Sequence, residues 1–236
     1  MPFHFESVPS TQVFLKEHLM VDPKLPHLEY ALADMQSDGV GRLNRSWVSE
    51  AGNLFLSVWI RDYELPLTWV PLWVGTCLLQ ALRDLQATTT DLKLKWPNDL
   101  VYQNQQKLAG ILCERVNSGV IAGIGVNLRS SPKLNDRLTI CLLDIAPKVD
   151  CANLNVKLTE KIIECLRTEP SLDLLKKRYG SDSLLQKGSL LSWTDLQTQA
   201  QGQGVFLSYG EYGELRVHEA SGIERSLYSE EIKISL

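Results

Sequence analysis

The sequence predicts an α+β protein, a mixed β-sheet packed with helices and followed by a small all-β unit of the SH3-barrel type. Three observations carry this. Four strand-like segments punctuated by turns run from residue 92 to 128. An uncharged apolar segment, "LPLTWVPLWVGTCLLQAL" (65–82), precedes them. Near residue 185 the texture changes to short strands separated by Gly-rich turns, with no helical period. The division falls as residues 1–184 and 185–236.

Taken in order, Ser10 and Thr11 are N-cap candidates for a short amphipathic helix over "QVFLKEHL". "HLEYALAD" (27–34) reads as a strand. Residues 35–52, rich in glycine and polar residues, form a loop long enough to suggest a function of its own. "NLFLSVWI" (53–60) alternates, placing Leu54, Leu56, Val58 and Ile60 on one face of a strand. The apolar segment is long enough to approach a membrane span. Pro66, Thr68, Pro71, Gly75, Thr76 and Gln80 dilute it, and a buried helix across one face of the sheet is the better reading. "LKLKW", "DLVYQ", "KLAGILCERV" and "VIAGIGVNL" then form hairpin-connected strands around "QNQQ" and "NSG". Helical spacing returns over 153–180, with a second helix starting at Pro170.

Hydrophobic content of 44% and charged content of 22% suit a globular chain with a real core. The net charge of −4 and four Lys/Arg against seven Asp/Glu between Lys187 and Leu236 speak against nucleic acid as a partner. Five cysteines without a C-x-x-C pair read as reduced thiols of a cytoplasmic protein. The first ten residues lack the pattern of a signal peptide. The four histidines show no ligand spacing, so no protein-built metal site is expected.

Several motifs carry chemistry. "GVGRLNR" sets Gly39 and Gly41 before Arg42 and Arg45. Glycines let backbone N–H groups approach an anion, and arginines add fixed charged donors. On its own the motif reads first as a flexible surface turn. In "KWPNDL", Pro97 forces a sharp turn. Asn98 and Asp99 either cap that turn, or Lys95 and Asp99 form a fixed pair facing an anion and a reacting group. "KLAGILCE" places Lys107 before Gly110, and "GIGVNL" repeats small residues at Gly123 and Gly125 before Asn127. Both mark either close ligand approach or tight sheet packing.

In this order, Ser10-Thr11, Gln36 before the glycine loop, "KWPND", "KLAGIL" and "GIGVNL" resemble the biotin protein ligases, strongly over 7–128. The likeness is weaker through the C-terminal unit, where "SEEIKIS" is similar to the family's closing strand. The resemblance implies a class II aminoacyl-tRNA synthetase/biotin ligase-like catalytic domain. It also implies ATP- and Mg²⁺-dependent activation of biotin as biotinyl-5′-AMP, then transfer to a lysine of a biotin carboxyl carrier protein, as in acetyl-CoA carboxylase. By position, Ser10, Thr11 and Gln36 would hold biotin's polar ends, and Gly39, Gly110, Gly123 and Gly125 would line its slot. Arg42, supported by Arg45, would shield the phosphoanhydride. Lys107 would touch the carboxyl oxygen and α-phosphate. Lys95, Asn98 and Asp99 would face the phosphate and the acceptor. Asn127 and Trp47 would lie on the adenylate side, and Mg²⁺ would be held mainly by the ATP phosphates.

The loop departs from the family's G-R-G-R-x-G-R, with Val40, Leu43 and Asn44 where Arg, a variable residue and Gly are common. The chain reaches its Ser-Thr motif at residue 10, as in the monofunctional type without a DNA-binding domain. A lipoate/octanoate ligase or transferase of the same fold and a non-catalytic biotin-binding protein are the rival readings. "VIAGIGVNL" is a candidate strand for a dimer sheet.

Overall fold

In the computed structural model the described residues are 2–87, 90–103, 106–195, 198–228 and 231–234, the side chains of Asn44 and Glu231 excepted. Ser10 begins the first helix as the sequence suggests. Its extended backbone and side chain cap Val13 N–H, and the helix α1 runs over Thr11–Val21, a turn longer than its periodic core. Strands β1 (Phe3–Phe5), β2 (Tyr30–Ala33) and β3 (Leu54–Ile60) surround it in the chain. The long loop between β2 and β3 holds a single 3₁₀ turn at Arg42–Asn44. After helix α2 (Val70–Asp84) come β4 (Leu92–Lys95), β5 (Asp99–Tyr102), β6 (Gln106–Val116) and β7 (Gly119–Val126). The "NSG" turn passes through Asn117 at φ 49°, whereas the centre of "QNQQ", residues 104–105, lies outside the described residues.

These strands form one seven-stranded sheet in the order β1-β2-β3-β7-β6-β5-β4, antiparallel except for β1 against β2. β3 corrects the alternation expectation, because all seven of its residues are buried. Leu54, Leu56, Val58 and Ile60 do share one face, packed in the core that α2 completes. The opposite face is covered too, since α1 buries Trp59 with Leu15, Leu19, Ala31 and Ile121. A central strand roofed on both sides loses the polar-out half of its pattern. β7 is hydrogen-bonded to β3 on one edge and β6 on the other, so it has no free edge to extend into a second copy's sheet. That removes it as a dimer strand.

Helices α3 (Leu142–Ile145), α4 (Leu154–Leu166) and α5 (Leu172–Asp182) follow. Ser171, not Pro170, caps α5 by accepting from Leu174 N–H. α4 and α5 pack against α2. The apolar segment forms α2, a helix buried on nearly every side as the sequence suggests; among the described residues no helix is long and apolar enough to cross a membrane.

Strands β8 (Leu190–Thr194), β9 (Gln201–Tyr209), β10 (Leu215–Glu219), β11 (Glu224–Leu227) and β12 (Glu231–Ile234) make a second, antiparallel sheet. Its order is β11-β10-β9-β8-β12, and among the described residues no ladder joins the outer strands β11 and β12. Part of "SEEIKIS", residues 229–230 and 235, lies outside the described residues. This sheet is docked firmly. Trp193, Phe206, Leu215, Val217, Leu227 and Ile232 belong to the same continuous core as α2 and the large sheet. Trp69 Nε1–H and Trp96 Nε1–H donate to the carbonyls of Glu211 and Gly213 at 2.9 and 2.8 Å.

Candidate active site

The ladder registers place the chemical residues in rows on the sheet face that carries α1. One row reads Ala33, Phe55, Gly125, Gly110, Asp99, Lys95 from β2 to β4, each opposite the next. The parallel row holds Ala31, Ser57, Gly123 and Leu112. Three glycines on two adjacent strands therefore remove side chains from the middle of this face and leave a trough. Because strand spacing is about 4.8 Å, the trough runs about 14 Å between β3 and β5.

The trough floors a cavity of about 350 Å³, a size typical of small-molecule sites. Trp47, from the long loop, lies over the glycines. A Cβ on Gly125 would stand 2.5 Å from the indole Cε2, and one on Gly110 would stand 3.0 Å from Cζ3. The indole Nε1 is buried without a hydrogen-bond partner among the described residues. Trp47, which the resemblance put on the adenylate side, thus lies over the glycine row.

At one end of the trough the walls are polar and buried. Thr11 N–H and Thr11 Oγ1–H both reach Gln36 Oε1, at 2.8 and 3.1 Å. Gln36 Nε2 donates to Ser49 Oγ at 3.1 Å. Ser10 and Thr11 are 2% and 3% exposed, so the α1 N-terminus closes this end.

The other end is charged. Lys107 Nζ stands 2.6 Å from Asp99 Oδ1 and 5.4 Å from the Trp47 ring centroid, a cation–π distance. Lys107 and Asp99 form a short, largely buried ion pair. Asn98 links the two motifs that the sequence kept apart. Its Nδ2 donates to Ile111 O at 2.7 Å, and its Oδ1 accepts from Arg42 Nη1 at 3.0 Å. The "KWPND" turn, entered through a cis Trp96–Pro97 peptide, thereby holds the arginine of the glycine loop. Lys95 lines the cavity beside Asp99.

Ser10, Thr11, Gln36, Arg42, Arg45, Trp47, Lys95, Asn98, Asp99, Lys107, Gly110, Gly123, Gly125 and Asn127 all line this one cavity. Gly39 does not. Its missing side chain serves the loop instead, because a Cβ there would meet Trp47 O at 2.4 Å and Ser49 Oγ at 2.6 Å. Asn127 is 2% exposed. Its Nδ2 donates to the carbonyls of Lys107 and Ile140.

Other lining residues carry no motif. Pro132, Leu134, Asp136, Arg137 and Thr139 come from the segment after β7, and Ile232 comes from the second sheet. The Arg137 guanidinium beside Asp136 holds that carboxyl below its ordinary range. Gln12 and Ser57 also reach the cavity; the single sequence signal for them is a polar residue inside an apolar face. Among the described residues, no group of three or more His, Cys, Asp or Glu is arranged to hold a metal ion.

Comparisons with known proteins bear on this geometry. The profile of the Biotin/lipoate A/B protein ligase family matches residues 4–130. The biotin–[acetyl-CoA-carboxylase] ligase of Mycobacterium tuberculosis is 34% identical over 119 residues, covering 48% of this chain and 44% of that protein. The bifunctional ligase/repressor BirA of Bacillus subtilis is 34% identical over 125 residues, 49% of this chain and 37% of its own. The chain thus spans less than half the length of these curated relatives. A solved structure of the Aquifex aeolicus biotin protein ligase in complex with biotin and ATP superposes with a TM-score of 0.80 at 26% identity. It covers 99% of this chain and 98% of that one.

Proposed function

Because this chain belongs to the biotin/lipoate A/B protein ligase family, we propose that it is a biotin–protein ligase. It activates biotin with ATP as biotinyl-5′-AMP and transfers the acyl group to a lysine of a biotin carboxyl carrier domain. The observation that carries the reading is the polarity of one trough. A buried hydrogen-bonding end at Thr11 and Gln36 lies across the glycine row from a cationic end at Lys107, Arg42 and Lys95. An acid with a polar ring at one end and a carboxylate at the other matches that layout.

In the first step the biotin carboxylate attacks the α-phosphorus of ATP and pyrophosphate leaves. Negative charge grows on the phosphate oxygens, where Lys107 and Arg42 are fixed donors. Trp47 and Asp99 hold Lys107 between them, which supports its ammonium as the fixed donor at the carboxyl–phosphate junction in this reading. Mg²⁺ bound to the triphosphate would offset charge on the departing pyrophosphate. The cavity wall offers the separate carboxylates Asp99 and Asp136 rather than a cage, which fits a metal that arrives with the nucleotide.

In the second step the acceptor amine attacks the acyl carbon and AMP leaves. Asp99 is the carboxylate placed to orient that amine and take its proton. Arg45 lies toward the phosphates, and Asn127 Oδ1 offers an acceptor to the adenine amino group. The loop carrying Arg42 and Trp47 covers the mixed anhydride and limits hydrolysis.

Residues 1–184 are the catalytic unit in this reading, and residues 185–236 an SH3-type barrel; Ile232 on the cavity wall and the shared core support a joint role. Five free cysteines suit a cytoplasmic setting. The test incubates the protein with ATP, Mg²⁺ and either labelled biotin or labelled octanoate, and follows pyrophosphate release and label on a carrier domain. Pyrophosphate release and carrier label are expected with biotin. Label from octanoate alone would move the chain to the lipoyl branch, and tight biotin binding without turnover would make it a binding protein.

A further inference from the structure

A chain of polar groups, buried except at its Glu114 end, runs from the trough along the same sheet face, and its donors and acceptors can be counted. Gln12 Nε2 donates to Glu114 Oε2 at 2.9 Å and to Ile121 O at 3.2 Å. Both are acceptors only, so the Gln12 amide has one orientation and its Oε1 is the atom turned toward Ser57. Ser57 Oγ stands 3.1 Å from that Oε1, which can only accept, so the single Ser57 proton goes to Gln12. Ser57 Oγ is also 2.8 Å from Thr11 Oγ1. With the Ser57 proton committed, Thr11 is the donor in that contact, or donates to Gln36 Oε1 at 3.1 Å. In either case the one Thr11 proton stays inside the protein. Only lone pairs on Thr11 Oγ1 remain for a ligand.

We propose that Gln12 and Ser57 are positioning residues that make the Thr11 hydroxyl an obligate hydrogen-bond acceptor for an N–H of the bound acid. Glu114 locks the Gln12 amide in the orientation this requires. The inference rests on the biotin reading above and deepens it, because a cyclic urea brings N–H donors where a saturated acyl tail brings none. Burial gives the arrangement its force. Gln12 is 4% and Ser57 0% exposed, so water is not available to repair a mismatched group. Gly123 is an independent sign that the fold makes room for it, since a Cβ there would stand 2.6 Å from Gln12 Oε1. A tail without N–H groups would leave Thr11 unpaired, and sites built to hydrogen-bond a polar group reject such analogues strongly.

The test measures biotin binding by calorimetry, with the KM for ATP and Tm as controls, in the full-length wild type, Gln12→Met and Ser57→Ala. A second ligand, biotin methylated at both ureido nitrogens, lacks the donors. Biotin affinity is expected to fall about tenfold to a hundredfold in each variant. The KM for ATP should stay within about twofold, and wild type and variants should bind the methylated ligand alike. Glu114→Leu should weaken biotin binding and Glu114→Gln should recover part of it, because a Gln oxygen still accepts from Gln12. Wild-type affinity for biotin in both Gln12→Met and Ser57→Ala would overturn the inference. So would an equal loss for both ligands, which would mark a merely structural role. Octanoate use without biotin binding in the wild type would instead overturn the biotin reading, and this inference with it.

Discussion

The two ends of the trough are built on opposite plans. At the α1 end, Thr11, Gln12 and Ser57 are buried and cross-linked by hydrogen bonds between elements far apart in the chain. At the loop end, Arg42 donates to Asn98 Oδ1, Leu43 is 61% exposed, and the turn closes on itself through Gly41 N–H to Arg45 O and Trp47 N–H to Gly39 O. The first plan fixes geometry before any ligand arrives, which suits discrimination between acids. The second puts its donors on a long loop, the kind of element that closes over bound substrates. The comparison teaches that recognition and charge stabilisation need not share a scaffold. Changes at the α1 end should act on acid affinity, and changes at the loop end on nucleotide chemistry.

The largest effect that would break this division sits at Lys107. Lys107→Ala removes the cation of the charged end and leaves Asp99 without its counter-charge. Adenylate formation, followed by pyrophosphate release, is expected to slow about 10²–10³-fold. Near-normal release would show that the charged end is structural. Next comes the trough floor. Gly125→Val puts branched carbon where Trp47 now lies, with its Cβ about 2.5 Å from the indole. Biotin binding should fall beyond detection by calorimetry, while far-ultraviolet circular dichroism keeps the wild-type spectrum. Unaltered biotin affinity would mean the acid does not cross the glycine row.

Much of this arrangement is legible in the sequence. "KWPND", "KLAGIL" and "GIGVNL" each mark a strand or strand end with a residue type that a passive strand does not need, and β4 to β7 follow those boundaries within a residue or two. The register could not be read, and the register is what sets Gly125, Gly110, Asp99 and Lys95 in one row. The missed residues share a cause. Gln12 meets Glu114 across 102 positions, and Ser57 meets Gln12 across 45. A polar side chain on an apolar helix face gives no local sign of its partner. The burial of both faces of β3 was hidden likewise, because α1 reaches it from another part of the chain. Gly39 shows the converse, a motif glycine that packs within the loop beside Trp47 and Ser49 and does not line the cavity.

Two smaller effects sharpen the comparison at the loop end. Arg42→Ala should raise the KM for ATP about tenfold and speed release of adenylate into solution, with biotin affinity changed less than in Gln12→Met. Leaked biotinyl-5′-AMP, measured by chromatography, checks it. The smallest effect belongs to Leu43, whose backbone lies at φ 57°, ψ 35° inside the 3₁₀ turn. A branched apolar residue is unfavourable there by about 1–2 kcal/mol, whereas Asn tolerates the left-handed region. Leu43 also faces solvent, so its removal opens no cavity in the core. Leu43→Asn is therefore expected to stabilise the folded chain by about 0.5–1 kcal/mol, read as a rise in Tm of a few degrees. If the left-handed turn is kept because Leu43 contacts the bound nucleotide, the same variant will raise the KM for ATP. If the turn merely aims Arg42 at Asn98, the KM will stay unchanged while Tm rises, and Leu43 will have been shown to serve the loop end without touching the nucleotide.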